Sequence, residues 1–169
     1  MQYLEFQLPD AAALNACLYE RYLALCAAGR VSRTHHVGGR FENTYIARAD
    51  LPEIGVLLDV FRQQAGRWLG MPADSLRAGF WFNAMEHGQR TSLHHHDEND
   101  ELLSAAYYIR VPDRSGELVL YAGEERITVA PRAGKLVMFA PSLLHEVTVN
   151  ESHALRLSVG MNIGPVESA

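Results

Sequence analysis

The chain has only two cysteines, no run of basic residues and no apolar stretch long enough to span a bilayer. Cys17 and Cys26 fall in one predicted helix, on turns that do not face each other, and they form no metal-binding motif. A disulfide scaffold and a cysteine metal cluster are therefore excluded, and both residues read as ordinary reduced thiols. The first residues, MQYLEFQLPD, lack a basic region followed by a long apolar run, so no signal peptide and no membrane association are expected. A cytoplasmic enzyme or binding protein fits these absences. Positive charge is also scarce, with 15 Lys and Arg against 20 Asp and Glu and a net charge of -5. Arg30 and Arg33 are too sparse to track phosphates, and no nucleic-acid partner is expected.

What is present is a core. Hydrophobic residues make up 48% of 169 positions, with six Phe, seven Tyr and two Trp, which excludes a disordered adaptor. The length fits a single domain over 1–169, with residues 1–75 as a helical N-terminal support and 76–163 as a β core. Tyr3 to Phe6 reads as a short edge strand. A helix is predicted from Asp10 to about Ala28, with Asp10 as its cap, Leu14, Leu18, Tyr22 and Leu25 as its apolar face and Gly29 at its end. Val31 to Asn43 reads as polar and irregular, with a turn at Gly38-Gly39. Asp50 and Glu53 resemble a capping box for a second helix, along which Ile54, Leu57, Leu58, Phe61, Ala65, Trp68 and Leu69 recur at helical spacing up to Gly70.

From Leu76 the period changes. Strands are predicted near 78–85, 90–96, 103–110, 117–121, 125–130, 135–140, 145–149 and 154–162. Eight short strands after two helices imply an all-β core with flanking helices: a double-stranded β-helix, or jelly roll, whose one sheet carries the helices.

The chemistry concentrates in His94-His95-His96-Asp97 and His145. Residues two apart on a strand share a face, so His95 and Asp97 can reach one ion with His145. Two imidazoles and a carboxylate suit Fe(II) and leave open positions, unlike structural zinc. Two other registers compete: His94 and His96 with His145, which makes a three-histidine site, and His96 with Glu98. On the last strand Leu155, Leu157, Val159 and Met161 alternate with Arg156, Ser158, Gly160 and Asn162. The second group places Arg156 and Ser158 inside the barrel, where a buried arginine needs an anion; an internal ion pair to Glu or Asp, or a dicarboxylate, would provide one.

These residues resemble the 2-oxoglutarate/Fe(II)-dependent oxygenases, in particular a compact bacterial and phage group. The resemblance runs from about Phe80 to Ile163. It includes Trp81-Phe82-Asn83, Gly88, the histidine cluster, Ser104 to Tyr108, Gly134 to Pro141, His145 to Asn150 and Arg156 to Ile163. His95-His96-Asp97 fits the family's His-x-Asp pattern, while the neighbouring histidines permit another register. The resemblance implies His95, Asp97 and His145 as iron ligands. It also implies Arg156 with Ser158 on the distal carboxylate of 2-oxoglutarate, and Asn83 and Tyr108 as cosubstrate or pocket residues. Molecular oxygen would be the other cosubstrate, and the implied reaction is C–H hydroxylation with release of succinate and carbon dioxide. Val31 to Asn43 and Asp97 to Glu101 are expected around the barrel mouth, where Arg33, Arg40, His35 and His36 either form a solvated surface or receive an acidic or amide-bearing group. A small-molecule or peptide substrate fits an open mouth, and a homodimer would cover an exposed edge or apolar patch of so small a barrel. The rivals are a cupin-like three-histidine metalloenzyme and a non-catalytic carboxylate-binding barrel.

Overall fold

A computed structural model describes residues 3–97 and 99–166. Among these residues two α-helices and eleven strands form, in the order β1 (Tyr3–Gln7), α1 (Ala11–Ala27), β2 (Ser32–Val37), β3 (Arg40–Tyr45), α2 (Ile54–Leu69) and β4 (Leu76–Met85). These are followed by β5 (Thr91–His94), β6 (Leu103–Arg110), β7 (Leu118–Ala122), β8 (Glu125–Val129), β9 (Lys135–Phe139), β10 (Leu144–Val147) and β11 (Arg156–Pro165). The strands make two antiparallel sheets, β1-β9-β6-β11-β4-β3-β2 and β5-β10-β7-β8. This is the jelly roll expected from the eight strands after Leu76.

Alternation along the large sheet creates two cores. Phe82, Ala105, Tyr107, Ile109, Leu136, Met138, Leu157, Val159, Met161 and Ile163 face outward onto α1 and α2, which bury Leu18, Leu25, Leu57, Leu58 and Phe61 against them. Tyr107 ties the layers together by donating its hydroxyl to Asn15 of α1 at 2.7 Å. Met85, Tyr108, Val137 and Phe139 face the other way and meet Leu118, Leu120, Val129 and Val147 of the small sheet. Because both faces of the sheet are covered at its centre, β6 and β9 read as nearly continuous apolar runs.

The helix starts differ from expectation. Asp10 sits in the left-handed region (φ 50) and makes no side-chain cap bond. Asp50 closes a 3-10 turn over Arg48–Asp50 and accepts Arg30 at 2.6 Å instead of capping α2, which begins at Ile54. Gly70 ends α2 in the left-handed conformation, as its position suggested. The larger difference is Val31 to Asn43. Gly38 and Gly39, both at positive φ, close a two-residue turn with Val37 paired to Arg40, and the segment is the β2–β3 hairpin. It extends the large sheet beside β4 through the pair Thr44 and Phe82.

Candidate metal centre

The small sheet brings the histidines together through an irregularity. His145 of β10 lies opposite His94 of β5, while Val147 lies opposite Thr91. Three steps along β5 thus match two along β10, which is a β-bulge. His94, His96 and His145 converge, with one ligand nitrogen from each lying within 4.8 Å of the others. Metal–nitrogen bonds of about 2.1 Å would set neighbouring donors about 3 Å apart, so small rotations close the site on an ion.

Two of the rings are fixed by the backbone. Nδ1 of His94 lies 2.7 Å from the Ser92 carbonyl, and Nδ1 of His145 lies 2.8 Å from the Leu143 carbonyl. A carbonyl only accepts, so each Nδ1 carries the proton and each Nε2 lone pair is left for a metal. His96 lies just beyond β5, where its backbone N–H donates to the Pro141 carbonyl at 2.9 Å. Burial, reinforced by the neighbouring His94, pushes the His145 imidazole down to about 3 and the His96 imidazole to about 4. Both are neutral at physiological pH, the form that binds metals.

The structure brings His94 and His96 to His145, the three-histidine alternative to His95 and Asp97. His95 and Asp97 are exposed and stand outside the cluster, where the Asp97 N–H meets His95 Nδ1 at 3.3 Å. Glu98 of the third register lies outside the described residues. The cause is the bulge. Thr91 points inward, and strict alternation from it would also turn Leu93, His95 and Asp97 inward. One extra residue inverts the parity, so Leu93 is 52% exposed and His94 and His96 point in.

Deeper in the same cavity lie the residues expected from the last strand. Its wall includes His94, His96, His145, Trp81, Asn83, Tyr108, Arg156 and Ser158. Arg156 is 1% exposed. Its Nη1 reaches Ser158 Oγ at 3.3 Å and the Met85 sulfur at 3.7 Å, and its guanidinium sits 5.3 Å from the centre of the Tyr108 ring. Its Nε has no hydrogen-bond partner, and among the described residues no carboxylate pairs with it. Burial lowers its pKa below the ordinary arginine value. The internal ion pair that would have explained this cation is therefore absent among the described residues.

Tyr108 is fully buried and its hydroxyl also lacks a partner. Burial pushes that phenol up to about 12, so it remains a neutral donor facing the cavity. Asn83 is differently placed. It lines the cavity, but its Oδ1 accepts Arg40 at 2.7 Å and its Nδ2 donates to Thr91 at 2.8 Å. Both ends of the amide are thus engaged within the protein. Arg40, expected at the mouth, is instead buried and donates to Asn83 Oδ1 and to the Ala84 and Arg90 carbonyls.

Two features escaped the sequence. Trp81 lies beside His96, its ring tilted by 56° and the centroids 5.2 Å apart. Its indole lies so close over Gly160, its partner across β4 and β11, that a Cβ there would meet it at 2.4 Å. The Trp-plus-Gly complementarity is a cross-strand property that neither residue signals alone. The second is Glu42, buried on β3, whose carboxylate holds Ser92 of β5.

The model of the 2OG-Fe(II) oxygenase superfamily matches residues 80–164, half of the chain. The chain belongs to that superfamily: it is a 2-oxoglutarate-dependent non-haem iron oxygenase, using Fe(II), 2-oxoglutarate and molecular oxygen. No curated protein matches it by sequence. Solved structures share its fold. The alpha-ketoglutarate-dependent epimerase SnoN from nogalamycin biosynthesis superposes with TM-score 0.78 at 20% identity, covering 97% of this chain and 78% of SnoN. A Pseudomonas putida prolyl-4-hydroxylase gives 0.77 at 20% identity, covering 98% and 94%. A prolyl hydroxylase from Trichoplax adhaerens, solved with a hypoxia-inducible-factor peptide, gives 0.73 at 15% identity, covering 97% and 84%.

Proposed function

We propose that this oxygenase hydroxylates a C–H bond of an amino acid, a peptide side chain or another small metabolite at an iron held by His94, His96 and His145. Arg156 and Ser158 hold the distal carboxylate of 2-oxoglutarate. The observation that carries this reading is a fully buried guanidinium without an acidic partner among the described residues, in the cavity that the three imidazoles enter.

Each residue has a defined task. The Ser92 and Leu143 carbonyls orient His94 and His145 so that Nε2 is the donor. Three neutral ligands leave the charge of the ion uncompensated, which favours an anionic chelator beside it. Arg156 supplies a second positive centre at the cavity floor, where low dielectric makes a charge-assisted pair strong. Ser158 and the Tyr108 hydroxyl are further donors to the same carboxylate. Bound iron supplies the oxygen activation that couples decarboxylation of 2-oxoglutarate to succinate with oxidation of the substrate. Trp81 and Phe139 line the cavity beside the rings and limit water there. The substrate class rests on the kinds of substrate named for the similar structures, a small molecule and a peptide.

Anaerobic addition of Fe(II) and then 2-oxoglutarate, followed in the visible spectrum, tests the reading. A stoichiometric metal-to-keto-acid charge-transfer band is expected, with 2-oxoglutarate affinity lowered about 100-fold in Arg156→Ala. Tight iron binding with no such band favours the cupin-like three-histidine enzyme, which the observed donor set also suits. A band without oxygen-dependent turnover favours a binding-only barrel.

A further inference from the structure

Buried charge on β3 converges on one short stretch of β5. Arg40 is 8% exposed and Glu42 6%, and their side chains approach to 3.9 Å. Glu42 accepts the Ser92 backbone N–H at 2.6 Å with one oxygen and the Ser92 hydroxyl at 2.8 Å with the other. Arg40 donates to the Arg90 carbonyl at 2.7 Å, and to Asn83 Oδ1 and the Ala84 carbonyl at 2.7 and 2.9 Å. Asn83 passes the contact on by donating to the Thr91 hydroxyl. Arg90, Thr91 and Ser92 are thus gripped in succession from β3 and β4. The Ser92 carbonyl in turn accepts the Nδ1 proton of His94.

Burying both members of an ion pair costs free energy that an apolar pair would not. What this pair holds is the bulge, the one place where β5 leaves regular pairing with β10. Relaxing the bulge would slide β5 by one residue and turn every later side chain to the opposite face. We propose that Glu42, with Arg40 as its counter-ion, is the positioning residue that sets the register of the metal strand. Its grip on Ser92 presents His94 and His96, rather than His95 and Asp97, to the iron. The inference rests on the three-histidine site proposed above. It gives the β2–β3 hairpin, which lies outside the segment matched by the family model, a direct role at the metal.

The test is Fe(II) affinity of the full chain under anaerobic conditions, with thermal midpoints measured alongside. Glu42→Leu is expected to lower affinity by about 10- to 100-fold. Glu42→Gln, which keeps an acceptor for the Ser92 N–H and offers a donor to its hydroxyl, restores most of it. Asp97→Ala, neutral in the native background, is expected to cost about tenfold or more in the Glu42→Leu background, because Asp97 can then turn inward. A Glu42→Leu protein that binds Fe(II) as tightly as the native chain overturns the proposal, whatever its thermal midpoint. If that variant does not fold, Ser92→Ala decides: a loss of about threefold or more supports the grip, and unchanged affinity overturns it. Native protein whose Fe(II) binding is indifferent to His94→Ala fails the three-histidine reading first, before any Glu42 variant is measured, and the inference falls with it.

Discussion

At the scale of the residue, neutrality and direction of the imidazoles matter most. His94 and His145 each spend Nδ1 on a carbonyl, so either replaced by Ala removes a prepared donor. Loss of Fe(II) binding by at least about 100-fold is expected for His94→Ala and His145→Ala, while His95→Ala and Asp97→Ala change it little. Equilibrium dialysis against Fe(II) checks this, and a collapse on removing Asp97 would contradict it. Depressed pKa values also give the metal-free protein a pH dependence. His145 at about 3 and His96 at about 4 lie below the 6.5 of a free imidazole. Between those values the unfolded chain binds more protons than the folded one, so stability is complete above about pH 6.5 and declines as pH falls toward the folded values. Each ring contributes a slope approaching about 1.4 kcal/mol per pH unit. Urea unfolding of metal-free protein at pH 7 and pH 5 should show the lower midpoint at pH 5; equal midpoints would contradict it.

At the scale of the element, packing across strand pairs governs the site. Gly160→Ala would place a Cβ at 2.4 Å from the Trp81 ring, which stands beside His96. Overpacking of this kind costs about 1–3 kcal/mol. Reduced stability together with a shifted tryptophan emission and weaker Fe(II) binding is expected, and an unchanged emission would contradict the contact. The same scale explains what the sequence could show. Strands after Leu76 were legible because β-branched and aromatic runs broken by turns have few other solutions. Alternation on β11 correctly separated Leu157, Val159 and Met161 from Arg156 and Ser158, since that strand pairs with β4 without interruption. The histidine register was not legible, because a bulge is set by what grips the strand from outside. Here the grip comes from Arg40 and Glu42, whose charges lie on the inward face of β3 while Phe41 lies exposed. Inverted polarity hid that hairpin from a pattern search, although Gly38-Gly39 marked its turn.

At the scale of the whole molecule, the two cores divide the work. The helices and the outward face of the large sheet form a rigid backing, and the interior between the sheets holds the site. No helix among the described residues is long and apolar enough to cross a membrane. A ligand that joins the small sheet, through the histidines, to the large sheet, through Arg156, should stabilise both together. Fe(II) with 2-oxoglutarate at about 100 times its dissociation constant contributes about 2.7 kcal/mol. A rise of about 5–10 °C in melting temperature is expected anaerobically for a chain of this size. The 2-oxoglutarate component of that rise should disappear in Arg156→Ala, and its persistence would place the cosubstrate elsewhere. The most direct measurement is a crystal structure of the anaerobic complex with Fe(II) and 2-oxoglutarate. The account predicts iron bound by Nε2 of His94, His96 and His145, with the distal carboxylate on Arg156 and Ser158. Iron bound by Asp97, or a carboxylate away from Arg156, would contradict it.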